Sequence, residues 1–364
     1  MLRLNVQYVK PGMIISRNIY NSSGSLLLAK DSVLDESLIY RLSQLYIDAV
    51  YIKNPFCQVE PAEDVLHEKT RVDALRVTQK AFNEFRQTRK LEVTALLDIV
   101  NKVVEDIMSN KNAVIHLTDI RANDDYTFGH SINVCLLATM IGVKLKLKET
   151  QIKELALGAL LHDVGKMLVP SELLGKTGKL TRDEWKIVKA HAEQGFEILR
   201  KDCAIPLVSA HTAYQHHESL DGKGYPRGIT GNKVHYYAKI TAIADIYDAL
   251  TSERPYRQAM LPHEAYEIIM AERGVKLDAE LVDVFLENVA LYPIGTVVRL
   301  NTGEIGVVVK VYSNLKSRPV LQMLVNAAGE RLTGENQNMD LLQELTCFID
   351  KVYKPEEVAL QKWD

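Results

Sequence analysis

Cysteine is scarce and scattered: Cys57, Cys135, Cys203 and Cys347 form no C-x-x-C pair. That argues against a zinc ribbon or a disulfide framework and fits a reducing cytoplasm. Long apolar runs are missing as well. No stretch reaches the roughly 18 residues that span a bilayer, and LRLNVQYVKPGM after Met1 lacks the continuous apolar core of a secretory leader. A cytoplasmic chain with no membrane span is expected. Excess charge is lacking too: 44 Lys and Arg against 47 Asp and Glu give a net charge of -3. Such a balance offers no basic surface to a nucleic-acid polymer, while leaving room for a locally positive pocket that takes a small anion. No long internal repeat and no low-complexity tract occurs.

What is present is enough apolar sequence, in 364 residues, for two or three domains each to bury a core. Residues 1–56 read as short strands broken by Pro11-Gly12 and by Asn21-Ser22-Ser23-Gly24, then a short helix (SLIYRLSQL) and a returning strand (AVYI), a small α+β module. Residues 57–115 interleave charged residues with Val65, Val72, Leu75, Phe82, Phe85, Leu96, Ile99, Val103 and Ile107 at near-helical spacing. They are expected to be a helical linker able to dimerise. Helical periods run on through 116–291, with turn-rich loops at 175–179 and 219–231. From 292 to 364 the pattern turns to β: TVVRL, IGVVVKVY and VLQMLVN, separated by turn residues, predict a small barrel-like module. The fold class expected is mainly α.

The chemistry is carried by histidines and acids in the helical body. His162-Asp163 closes the apolar run LALGALL. Polar side chains aimed into a core from such a place are costly unless a metal or hydrogen bonds satisfy them. By itself the pair would equally fit a capped helix end with a satisfied core histidine. Imidazole and carboxylate together suit first-row divalent ions such as iron, manganese or zinc. Lys166 follows His162 by four residues and shares its helical face, where its ammonium could meet a phosphate. His216-His217 precede a glycine-rich loop, Glu218 to Pro226. His130 opens the apolar INVCLLATMIG, His191 lies in a polar helix, and Asp245 sits inside ITAIADIYDAL with Asp248 one turn on. Asp248 either orients a ligand or stands on a helix surface. His67, His116, His235 and His263 have no partners of this kind, and His211 is expected to pack on the helix leading to His216.

In order along the chain, HSINV from His130, HDVGK from His162, KAHAEQG around His191, HHESLDGKGYPRG from His216 and IADIYDALTSERPYR through Asp245 resemble the HD-GYP family of the HD phosphohydrolases, over roughly Tyr126 to Ala265. The KPGM and NSSGSLLLAKDSVLD stretches resemble, more weakly, small modules found ahead of such domains. The resemblance implies an HD-type helical bundle around a centre of two divalent metal ions, iron or manganese. The implied ligands are His130, His162, Asp163, His191, His216, His217 and Asp245, with Asp163 bridging. It implies Asp163 and Lys166 as catalytic residues. Lys166, Gly224, Tyr225, Pro226, Arg254 and Arg257 are the implied substrate contacts, although either arginine could equally be a solvated helix-end charge. The implied reaction is hydrolysis of cyclic di-GMP by a metal-bridging hydroxide to linear pGpG, with a second cut to GMP left open. A preference for mixed cyclic GMP-AMP, or a receptor that binds without turnover, are the alternatives, and a homodimer is allowed. Some members hold a third ion with a glutamate where this chain has Tyr126. Two ions are therefore expected, with Asp124 and Asp125 the acids close by that could substitute.

Overall fold

The computed structural model describes residues 2–20, 25–45, 47, 49–54, 66–110, 126–176, 178–252, 259–312, 315–332 and 337–360. The chain divides into two compact units: residues 64–120 with 125–288, and residues 1–63 with 121–124 and 289–364.

The first segment supplies β1 (Leu2–Asn5), β2 (Ile19–Tyr20), β3 (Leu26–Leu28), α1 (Glu36–Gln44) and β4 (Ala49–Ile52). β1 pairs antiparallel with β4, β2 with β3. Asp35 starts α1 by accepting a hydrogen bond from Leu38 N at 2.7 Å, which satisfies one of the donors that every helix N-terminus leaves free.

The helical unit opens with α2 (Glu68–Thr88) and α3 (Val93–Ser109). In α3, Leu96, Ile99, Val100, Val103, Val104 and Ile107 are all buried, a stripe of helical period. Phe82 and Phe85 of α2 are buried too, with Phe82 edge-on to Phe128. Within the segment expected as a linker, the described residues 66–110 thus pack apolar faces into the helical unit. Dense charge is compatible with this, because a helix needs only one apolar face to belong to a core. Next come α4 (Tyr126–Lys144), α5 (Glu149–Leu160), a 3-10 turn over Val164–Leu168, α6 (Ser171–Leu174), α7 (Arg182–Lys189), α8 (His191–Leu199), α9 (Leu207–Gln215), α10 (Tyr236–Thr251), α11 (Pro262–Ala271) and α12 (Ala279–Leu286). α4 and α10 are buried over most of their surface, through Ile132, Val134, Leu137, Ala138, Ile240, Ile243, Ala244 and Tyr247 among others. A helix that is apolar on nearly every side belongs at the centre of its unit. Among the described residues no helix is long and apolar enough to cross a membrane.

The last segment forms β5 (Val297–Leu300), β6 (Ile305–Lys310), β7 (Val320–Val325), β8 (Asn338–Asp340), β9 (Ile349–Val352) and α13 (Pro355–Leu360). The strands make one antiparallel sheet in the order β8-β7-β6-β5-β9, so the β ending expected from sequence is present as a five-stranded sheet. Its residues do not stand apart from the first segment. Leu4, Ile15, Val50 and Ile52 share one core with Val297, Val307, Tyr353 and Val358, and the buried Asn54 amide donates to Gly295 O at 2.9 Å. The hydrophobic pattern of each segment announced which face is buried, and could not announce that the other segment covers it.

Candidate metal centre

Five histidines and two aspartates from α4, α8, α10 and the turns after α5 and α9 converge. His162, His191 and His216 are buried and are held by one device. Each places Nδ1 against a carbonyl three residues back: Ala159 O at 2.7 Å, Val188 O at 2.7 Å and Ala213 O at 2.9 Å. A carbonyl can only accept, so Nδ1 carries the proton and Nε2 presents a bare lone pair inward. His191 Nε2 and His216 Nε2 lie 3.3 and 3.7 Å from one oxygen of Asp163. His162 Nε2 and His130 Nε2 lie 3.3 and 3.6 Å from the other. The ligand atoms form two groups, Asp163 with His191, His216 and His217, and His130 with His162 and Asp245, each within 4.8 Å. One carboxylate thus stands between two donor sets.

His130 is oriented by a second set of contacts. Its Nδ1 meets Asp248 Oδ2 at 2.7 Å, while Asp248 Oδ1 accepts from Asn133 Nδ2 at 2.7 Å and from Ser252 Oγ at 3.0 Å. Asp248 is buried, so it orients His130 and is not a helix-surface charge. An outer partner of this kind raises the basicity of a ligand and fixes its ring. Asp248→Asn is therefore expected to weaken divalent-metal binding by about 10- to 100-fold, read by calorimetric titration of the apo protein. Unchanged affinity would remove His130 from the ligand set.

The donor set fits a divalent ion. His162 Nε2 and Asp163 Oδ1 are buried with no hydrogen-bond partner, a costly state for groups so deeply desolvated. Lys166 Nζ contacts Asp163 Oδ2 at 2.5 Å. Burial alone would raise the Asp163 carboxyl, but the Lys166 ammonium beside it holds it well below the usual carboxylate range. Burial pushes His191 down to about 4 and His217 well below the usual histidine value, leaving both neutral, as a ligand must be. His130 goes the other way: against its burial, hydrogen bonds to Asp245 and Asp248 raise it to about 9. A cation at Nε2 would displace that proton.

The loop after His217 forms one wall. Tyr225 N donates to His217 O at 3.0 Å, and the Tyr225 and His217 rings lie 4.5 Å apart. Glu218, itself buried, accepts from Arg227 N at 2.8 Å and Ile229 N at 3.0 Å. A Cβ on Gly224 would fall 2.4 Å from Ser219 N and 2.5 Å from His217 O, so the turn requires glycine there. Pro226 is exposed at the tip. Arg254, Arg257, Asp124, Asp125 and His116 lie outside the described residues. His211 packs against Phe196, with ring centroids 4.9 Å apart, and His235 caps α10 by accepting from Tyr237 N at 3.2 Å. Asn133, and the role of Glu218 in anchoring its loop, do not stand out in the sequence. The spacing of Asn133 from His130, three residues on one helix, was the available signal.

Comparison with known proteins agrees with this architecture. A family model described as HD domain matches residues 102–281, and one described as KOW domain associated with HD domain matches residues 297–361. The chain is 32% identical over 273 residues to a cyclic di-GMP phosphodiesterase of Pseudomonas aeruginosa, covering 73% of this chain and 66% of that protein. It is 38% identical over 174 residues to 3'3'-cGAMP-specific phosphodiesterase 3 of Vibrio cholerae, covering 48% of this chain and 38% of the relative. The chain thus spans less than two thirds of either relative's length. Among solved structures, an HDG"Y"P protein of Bdellovibrio bacteriovorus shares the fold, with a TM-score of 0.51 at 19% identity, over 79% of this chain and 98% of that one. The paired His-Asp cluster, the glycine-tyrosine-proline loop beside it and the matching HD model lead to one placement: the chain belongs to the HD-GYP family of HD-domain proteins.

Proposed function

We propose that this chain is a metal-dependent phosphodiesterase that hydrolyses a cyclic dinucleotide, cyclic di-GMP first, to linear pGpG and onward to GMP. The observation that carries the reading is Asp163, whose two oxygens face separate donor groups while Lys166 pairs with it from the more open side. Asp163, His191, His216 and His217 would hold one ion; His130, His162 and Asp245 would hold the other, with Asp163 shared. Bound there, two divalent ions supply a water made acidic enough to attack near neutral pH and positive charge against the phosphodiester oxygens. Nitrogen and oxygen donors support iron or manganese.

The protein's own groups do the rest. Lys166 is 24% exposed, which lets Nζ reach a non-bridging phosphate oxygen while its other contact remains on Asp163. Its ammonium can offset charge growing on phosphorus and hold a proton for the leaving ribose 3′ oxygen. The three Nδ1-to-carbonyl bonds keep His162, His191 and His216 in one tautomer throughout, so no reorganisation accompanies the reaction. Tyr225, its ring tilted 31° against that of His217 at 4.5 Å, narrows the access of water from that side. Arg254 and Arg257 are proposed as phosphate contacts, since a guanidinium fork matches two oxygens at once. Cys135, Cys203 and Cys347 are free thiols, which supports action in the cytoplasm.

A preference for mixed cyclic GMP-AMP is the second reading, favoured by the likeness to the Vibrio cholerae cGAMP-specific enzyme. The test is metal content and hydrolysis of both dinucleotides on one anaerobically purified sample. Two ions per chain together with cleavage of either dinucleotide is expected, and the faster substrate decides between the two readings. A full metal load with neither dinucleotide cleaved would overturn the enzymatic reading in favour of a receptor.

A further inference from the structure

Helix α7 lies immediately before the helix of His191 and carries an unusual surface residue. Trp185 is 44% exposed, although a large ring gains most by burial. It is not a stray side chain on a loose segment. Thr181 and Glu184 form reciprocal bonds at the start of α7, at 3.3 and 2.7 Å, and Lys176 Nζ grips both oxygens of Glu184 at 2.8 and 2.7 Å. One helical turn after Trp185, Lys189 sets its ammonium 5.4 Å from the Trp185 ring and 4.8 Å from the Tyr225 ring. Tyr225 and Trp185 meet edge-on with centroids 6.3 Å apart.

Together these contacts form a line of rings leading out of the metal centre: His191 to His217 at 5.1 Å, His217 to Tyr225 at 4.5 Å, Tyr225 to Trp185 at 6.3 Å. The inner members belong to the candidate ligand set and the outermost faces solvent. Lys189 bridges the last two rings and brings a positive charge to the same place. A flat exposed indole next to an ammonium and a phosphodiester site has the chemistry of a nucleobase platform, because every base offers a π face and is attached to an anionic backbone.

We propose that Trp185, backed by Tyr225 and Lys189, is the stacking platform for a purine base of the nucleotide whose phosphate lies at Lys166. This rests on the phosphodiesterase reading and adds to it the residue that recognises the base. Stacking is tolerant of base identity, so Trp185 sets affinity for purine dinucleotides in general and does not choose guanine over adenine.

The experiment uses full-length protein with Trp185→Ala and Trp185→Phe. For cyclic di-GMP, KM for the alanine variant should rise about 5- to 150-fold, the range that stacking one base is worth. Its kcat should stay within a few fold and its metal content should be unchanged, and phenylalanine should restore most of the loss. The sequence has two tryptophans, Trp185 and Trp363, so in a Trp363→Phe background indole fluorescence reports Trp185. Cyclic di-GMP and the mixed dinucleotide should both quench it. If wild type hydrolyses cyclic di-GMP but Trp185→Ala leaves KM unchanged, the platform is overturned and the enzyme reading stands. If wild type does not hydrolyse either dinucleotide, yet equilibrium dialysis finds binding that quenches Trp185 and that the alanine variant weakens, the enzyme reading falls and the platform stands. No binding by dialysis overturns both.

Discussion

Asp163→Asn is expected to abolish hydrolysis of cyclic di-GMP and to strip most of the metal from the purified protein. The substitution keeps the side chain's shape but removes the charge from a carboxylate that faces His191 and His216 with one oxygen and His130 and His162 with the other. An amide offers one acceptor oxygen, so one donor group keeps its shared member while the other faces an NH2 that has no lone pair to give a metal. The damage should exceed the roughly 10- to 100-fold attached to an outer partner such as Asp248. Activity is expected to fall by about a thousandfold or more, since metal charge and activated water are lost together. Metal analysis by mass spectrometry beside the activity assay checks both parts. Lys166→Met provides the contrast. It removes the ammonium without removing a candidate ligand, so metal content should hold while kcat drops about 10²- to 10⁴-fold. Wild-type metal load and turnover in Asp163→Asn would contradict the shared-carboxylate geometry as the basis of activity.

Gly165→Ala should be nearly as damaging, for a steric reason. A Cβ at this position would lie 2.0 Å from His191 O, 2.7 Å from Gly195 N and 2.9 Å from His191 C. All three are backbone atoms of α8, which cannot swing aside as a side chain can. Accommodating the methyl requires the turn after His162-Asp163 and α8 to separate, and that separation acts directly on the 3.3 Å approach of His191 to Asp163. Overpacking of this kind costs about 1–3 kcal/mol. For a unit of this size, each kcal/mol lowers Tm by roughly 2–4 °C, and metal binding should weaken in parallel. Gly178→Ala is the matched control, because nothing lies within 4 Å of its would-be Cβ. If Gly165→Ala melted and bound metal like wild type, the contact between the turn and α8 would be slack and His191 would be positioned by something else.

Much of the site was readable in the sequence because burying polar groups is expensive. His162-Asp163 at the end of LALGALL, and Asp245 inside ITAIADIYDAL, stand out against apolar neighbours, and the structure brings both to one place with His130, His191, His216 and His217. In the sequence Asp248 stands between two roles, because helical spacing shows that it shares a face with Asp245 without showing that His130 and Asn133 lie opposite. The Nδ1-to-carbonyl bonds depend on how each turn closes, and no residue type announces that. Trp185 and Lys189 sit six and two residues before His191 in a segment that reads as an ordinary polar helix; their meaning comes from Tyr225, about forty residues downstream. The same limit hid the role of α2 and α3, whose charged faces masked a fully packed stripe. It also hid the union of the first and last segments, since alternating apolar residues do not name their partner.

That union has a consequence for the timing of synthesis. Leu4, Val50 and Ile52 complete their core only with Val297, Val307, Tyr353 and Val358, whereas the helical unit draws on residues that are all made in between. At roughly 5–20 residues per second, the stretch from residue 52 to residue 297 takes on the order of ten to fifty seconds to emerge. Throughout that interval the apolar faces of β1 and β4 lack their final cover, while the helices around His130 and Asp163 can already close. On the ribosome, the segment of β1 to β4 is therefore made before the helical unit and finished after it, and a nascent chain that stalls before β5 would present a folded helical unit together with an unfinished, adhesive β segment.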